Sequence, residues 1–282
     1  MMGKEKKQKE PKYIPSPLNT PMINYKVYYM SKLEYTTLFV LVFVVGGIVG
    51  LIFYGGLFKY DGNATIATYI SDVIIFGGIG FIAFKIFFPI INSMLLEKRS
   101  QKIAKQFIDL LEAVAASLSA GNTVSDSFIN AQNDLKNQYT EKDYIIIELQ
   151  EIISGINNGK TLEEMISSFG ERSGNEDISN FANVIKNCYR LGGNFNSVVR
   201  KTKNIISEKF VISEEINTKL ASNKLQLNVM CAMPVALVSM MKFTNPSFAT
   251  NLASFGGIIA TTVAVGIFVG AYIWGRKIID IR

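Results

Sequence analysis

Residues 155–161, Gly-Ile-Asn-Asn-Gly-Lys-Thr, come within one position of a phosphate-binding loop. That chemistry needs four residues between the first glycine and Gly-Lys-Thr, so that successive backbone N–H groups wrap a phosphate. Gly155 and Gly159 enclose three, and Ser154 stands where the first glycine belongs. The preceding Ile-Glu-Leu-Gln-Glu-Ile-Ile-Ser has the apolar spacing of a helix, whereas a phosphate loop follows a buried strand. The stretch reads as a helix end.

General acid–base chemistry finds little material. The chain has no histidine, the side chain best suited to proton transfer near neutral pH. The carboxylate pairs Glu163-Glu164 and Glu214-Glu215 are adjacent in sequence, so each pair splits across a helix instead of sharing a face. Cys188 and Cys231 are the only cysteines, have no metal or Cys-x-x-Cys spacing, and are expected reduced. No enzyme activity, catalytic residue, cofactor or metal site is expected. The remaining unusual residues are two charges inside apolar runs, Asp72 and Lys85. Charges at membrane depth are costly and often functional, so an ion or proton path is one reading. Interfacial placement, with Lys85 reaching toward the headgroups, is the other.

These charges belong to a chain of 282 residues that is 49% hydrophobic and only 18% charged. Its mean hydropathy is +0.23. Four membrane spans are expected, at 35–58, 69–91, 225–241 and 251–274. A cleaved signal peptide is not expected at 35–58, because the run starts late and is too long. Residues 1–34 form a basic arm with seven lysines against three glutamates, and the tail 275–282 has a net charge of +2. Basic flanks stay inside, so both termini and the segment 97–224 are expected in the cytoplasm. That segment has 16 basic and 17 acidic residues, so the overall +6 is a topology signal and no nucleic-acid footprint. Asn63-Ala64-Thr65 spells a glycosylation sequon in the outer link.

Within 97–224 the apolar residues recur on helix faces: Ile103, Phe107, Leu110, Leu111, Val114; then Ile145, Leu149, Ile152, Ile156; then Ile178, Phe181, Ile185, Cys188. Each face ends in a similar joint. Gly121 with Thr123, Gly159 with Thr161, and Gly193 with Asn194 supply a glycine to end one helix and a side-chain oxygen to cap the next. The chain is expected to be an all-α integral membrane protein, four transmembrane helices with a cytoplasmic six-helix bundle between spans two and three. Residues 168–177 are expected to form its main loop, and a long helix from about Phe195 should run directly into the third span. A tandem helical repeat is the rival architecture, but only two full periods fit.

The order of these features resembles a known family. "SAGNTVSDSF", "GINNGKTLEEMI" and "NVIKNCYRLGGNFNSVV" are followed by a long charged helix and the proline-bearing span "MCAMPVALVSMM". The pattern is similar to the F domain of type II secretion and type IV pilus platform proteins, over roughly residues 69–282. With two spans before it and two after, it most resembles the B-type member of the tight-adherence (Tad/Flp) form. The resemblance implies an inner-membrane platform that couples a cytoplasmic hexameric secretion ATPase to extraction and polymerisation of pilin or pseudopilin subunits. It also implies a sister F-domain platform subunit and a homo- or hetero-oligomer in the lipid bilayer. No metal-binding acidic residue carries over. The arm 1–34 lies outside the family pattern and is expected to be a flexible membrane-surface or partner-binding tail. The alternative function is a small multi-pass transporter or channel using Asp72 and Lys85. A receptor is disfavoured by the shortness of the outer links.

Overall fold

The computed structural model describes residues 10–57, 65–191 and 193–279, so Asn63 of the sequon lies outside the described residues. The elements in chain order are β1 (Tyr13–Pro15), β2 (Pro21–Ile23), α1 (Lys32–Tyr54), α2 (Ile66–Ser119), α3 (Val124–Lys136), α4 (Tyr144–Asn157), α5 (Leu162–Ser173), α6 (Glu176–Leu191), α7 (Phe195–Thr244), α8 (Pro246–Leu252) and α9 (Phe255–Ile279). They form two compact units: Met1–Tyr29 with Asn92–Ser213, here the helical unit, and Met30–Ile91 with Glu214–Arg282, here the apolar unit.

In the apolar unit, α1, α2, α7 and α9 each contain a stretch long and apolar enough to cross a membrane, the composition of a multi-pass membrane protein. Helix α1 opens with a capping box: Ser31 Oγ accepts from Glu34 N–H, and Glu34 Oε2 accepts from Ser31 N–H at 2.8 Å. Glycine lets α1 and α2 approach closely. A Cβ on Gly46 would lie 2.6 Å from Ala83 Cβ, and one on Gly80 would lie 2.7 Å from the Phe43 carbonyl. Gly266 and Gly270 of α9, four residues apart, have nothing within 4 Å of the Cβ position. The fourth apolar segment is interrupted at Ala253 and Ser254, and α9 begins at Phe255.

Helix α2 runs through residues 92–96 without interruption, with Pro89 accommodated inside it. Leu95, Leu96, Glu97, Lys98 and Arg99 are good helix formers and no glycine intervenes, so nothing stops propagation. Helix α7 is likewise one piece of 50 residues, about 75 Å at 1.5 Å per residue.

The helical unit contains the end of α2, all of α3 to α6 and the start of α7. Its core is built from the anticipated stripes: Ile103, Phe107, Leu110, Leu111 and Val114 of α2 meet Ile145, Leu149 and Ile152 of α4 and Ile178, Phe181 and Ile185 of α6. Burial of each such side chain contributes about 1.5–3 kcal/mol. Phe107 lies edge-on to both Phe169 and Phe181. The loop expected at 168–177 is mostly helix. Phe169 and Arg172 continue the buried stripe of α5 to Ser173, and only Gly174 and Asn175 separate it from α6. Gly174 adopts φ 64°, the left-handed conformation that ends a helix, and Asn175 Oδ1 accepts from the amides of Asp177 and Ile178.

Residues 10–29 of the basic arm are folded, contrary to the expectation of a flexible tail. The two strands pair antiparallel with Ile14 opposite Met22, joined by a turn in which Asn19 has φ 59°. Met22 and Tyr25 are buried in the helical unit. Pro15 and Pro21 on the strands, with Lys12 and Lys26 outside them, disguised a segment whose anchors are few and irregularly spaced.

Candidate functional site

The most elaborate polar site of the described residues is built where the arm meets α4 and α5. Glu148 occupies the buried stripe of α4, one turn before Ile152, and Arg172 the corresponding stripe of α5. The two are 1% and 3% exposed and pair through two parallel bonds, Nη1 to Oε1 at 2.8 Å and Nη2 to Oε2 at 2.7 Å. A buried ion pair is tolerable only when its remaining hydrogen-bonding capacity is filled. The arm helps to fill it. The Tyr25 hydroxyl donates to Glu148 Oε1 at 2.9 Å, Arg172 Nη1 donates to the Ile23 carbonyl, and Tyr25 N–H donates to the Arg172 carbonyl at 2.9 Å.

Burial, then the charge of Glu148, pushes the Tyr25 hydroxyl far above its ordinary pKa, so it remains a donor. For Arg172, burial acts to lower the pKa, but hydrogen bonding to Glu148 and its charge raise it overall. Arg99 from α2 closes the site. Its guanidinium carbon lies 5.1 Å from the Tyr25 ring centroid and 5.2 Å from that of Tyr144, while Nη1 donates to the Val27 carbonyl. One helical turn beyond Glu148, Glu151 Oε1 accepts from Ser16 Oγ at 2.6 Å and from Thr20 Oγ1, the two ends of the hairpin turn.

A second cluster sets the start of α4. Asp143 is the N-cap residue, yet its side chain does not cap the helix. It pairs with Lys102 at 2.7 Å and accepts from Thr140 and Gln106, while Gln106 Oε1 accepts from Ile145 N–H. The Lys102 hydrogen bond, opposed by burial, holds the Asp143 carboxyl at about 2.

The glycine joints are helix caps in geometry. At Gly159 (φ 78°), Lys160 N–H donates to the Gly155 carbonyl and Gly159 N–H to that of Ile156, the two bonds of a Schellman motif. Gly121 (φ 90°) repeats it through Asn122 to Ser117 and Gly121 to Leu118. Thr123 and Thr161 accept from the amides of Asp126 and Glu164. At the third joint Asn194 Oδ1 accepts from Ser197 N–H, and Gly193 N–H donates to the Cys188 carbonyl. That five-residue reach gives Gly193 the place of Asn122 and Lys160, one position later than Gly121 and Gly159. Gly155 serves packing: a Cβ there would lie 2.4 Å from Met165 Sδ.

Asp72 and Lys85 are not joined to each other by any bond in the structure. Asp72 Oδ1 accepts from Gly56 N–H at 2.8 Å, just beyond α1, and Lys85 is exposed on α2. The residue that sequence reasoning missed is Lys242. Its ammonium donates to the carbonyls of Leu51, Ile52 and Gly55, giving the end of α1 the basic partner that its own last turn lacks. Among the described residues no group of three or more Cys, Asp or Glu could hold a metal ion.

Residues 110–242 match the family described as type II secretion system (T2SS), protein F. The match supports the F-domain family for this segment. No curated protein and no solved structure matches the chain.

Proposed function

We propose that this chain is the inner-membrane platform of a type II secretion or type IV-like pilus machine, of the Tad form and its B-type member. The match over residues 110–242 carries the reading, because it covers the helical unit from residue 110 to 213 and continues along α7 to the end of its apolar stretch. In this reading the helical unit and both termini face the cytoplasm, as the lysine-rich arm favours. A hexameric secretion ATPase engages the helical unit, a sister F-domain subunit completes the platform, and work done on the helices moves pilin or pseudopilin out of the bilayer. The platform positions and transmits; it performs no bond chemistry and needs no cofactor.

Helix α7 supplies the physical means. A helix without a break between Phe195 and Thr244 carries a displacement along its length with little loss, although Pro234 sits within it. The transporter alternative is weakened by Asp72, whose carboxylate is engaged by Gly56 N–H. The test is deletion of the gene in its host, followed by co-purification of the secretion ATPase with the restored chain. Surface substitutions on α3 to α6 that abolish co-purification, and with it pilus or pseudopilus assembly, support the platform. Normal assembly in the deletion strain refutes it. Loss of an ion flux on neutralising Asp72 and Lys85, with the helical unit tolerant of change, would favour the transporter.

A further inference from the structure

The chain passes between its two units at three places: 29/30, 91/92 and 213/214. At the last two a single helix runs through, α2 and then α7. The first is different. Residues 24–31 are not helical, and the arm belongs to the helical unit while the helix it leads into, α1, belongs to the apolar unit. The helical unit therefore holds the arm, whose chain continues into α1, through side chains of the arm. Side-chain hydroxyls make two parts of this hold, Tyr25 on the buried Glu148–Arg172 pair and Ser16 and Thr20 on Glu151, and arm backbone adds bonds to Arg172 and Arg99.

From this arrangement we propose that residues 10–29 form a releasable tether between the helical unit and transmembrane helix α1, with Tyr25 and Glu151 as its positioning residues. The proposal rests on the platform reading. Helices α2 and α7 cannot let go of the unit they enter, since their bond to it is covalent. The arm can, because hydrogen bonds and the two buried side chains Met22 and Tyr25 hold it, the class of contact that opens locally without global unfolding. Docked, the arm makes α1 follow the helical unit. Released, it leaves α1 connected to that unit only through the rest of the chain, and it uncovers Glu148, Arg172 and Glu151 together. Lys26, exposed and immediately after Tyr25, reports the docked state, because cleavage there needs an extended, undocked chain.

The experiment uses the full chain in native membrane vesicles with the helical unit outward. Trypsin cleavage after Lys12 and Lys26 is timed for the wild type, Tyr25→Phe, and the Ser16→Ala/Thr20→Ala double variant. Hydrogen bonds to charged groups support an increase in cleavage rate of about tenfold or more for each variant. Cleavage inside 97–224 should be unchanged. A Ser16→Thr/Thr20→Ser variant keeps both hydroxyls and should restore protection. The double variant leaves the buried pair untouched, so it stands as the test if Tyr25→Phe loosens the fold. Pilus or pseudopilus output is measured in the same strains and should fall as cleavage rises. Unchanged cleavage overturns the tether, and faster cleavage with normal output overturns its role in coupling. Normal assembly in a strain lacking the gene defeats the platform reading instead, while the cleavage result still decides whether the arm releases.

Discussion

Glu148 and Arg172 meet side-on inside the helical unit, two parallel bonds of 2.8 and 2.7 Å between residues 24 apart in sequence. Removing one partner strands the other in a core of isoleucine and phenylalanine. Glu148→Ala or Arg172→Ala should destabilise the protein by about 3–5 kcal/mol, while Glu148→Leu with Arg172→Met should cost far less. Chemical denaturation of the wild type and the three variants in detergent provides the comparison. Equal losses for the single and double variants would show that the pair contributes nothing by its geometry.

Gly155 and Gly159, four residues apart at one joint, should respond to alanine for different reasons. Gly159→Ala meets open space but must hold φ 78°, costing about 1–2 kcal/mol in backbone strain. Gly155→Ala has helical backbone but drives a methyl into Met165, costing about 1–3 kcal/mol. Adding Met165→Ala should relieve the second variant and leave the first unimproved, as thermal melts of both doubles would show.

Asp143 gives the helical unit an acid-sensitive contact. Its folded pKa is depressed from 3.8 to about 2, chiefly by Lys102, so its contribution is full above the unfolded value and disappears as pH falls through about 2. Asp143→Asn should therefore lose less stability than the wild type between pH 4 and 2, with the two curves parallel above pH 5. Denaturant midpoints across that range provide the check.

Lys242 holds three carbonyls at the end of α1. Lys242→Met should lower stability in detergent by about 1–2 kcal/mol, the upper range for a cation at a helix C-terminus. Lys242→Arg should recover part of it. A melting temperature unaffected by Met would mean the contact contributes nothing in the folded protein.

A flexible glycine linker inserted into α7 after Ser213 tests whether that helix transmits force. Membrane insertion and the folding of the helical unit should persist while pilus or pseudopilus assembly stops. Electron microscopy of cell surfaces and membrane fractionation report the two outcomes, and normal assembly removes the lever.

The helical core was readable because burial on a helix imposes a 3.6-residue rhythm, and Ile103 to Val114, Ile145 to Ile152 and Ile178 to Ile185 keep it. The joints at Gly121 and Gly159 were readable because few residues accept a positive φ. The polar site was not readable as a pair, since no local pattern links Glu148 to Arg172. A partial signal did exist. Glu148 falls three residues after Ile145 and one before Leu149, and Arg172 three after Phe169, so both charges sit on apolar stripes where an unpaired charge would be prohibitive. The arm escaped because its buried anchors Met22 and Tyr25 follow the spacing of no regular element, amid lysines and prolines that look like linker. Lys242 escaped because its partners are backbone carbonyls, which carry no sequence signature.

The placement of the strand pair has a practical consequence for anyone excising the bundle as a soluble fragment. Cutting at 97 and 224 discards the hairpin, so the cut piece presents Glu148, Arg172 and the ring edges of Tyr144 and Phe169 to water in place of the phenol that sealed them. A well-behaved fragment has to be rebuilt from two distant stretches of gene, with residues 10–29 spliced ahead of residue 92 by an artificial connector.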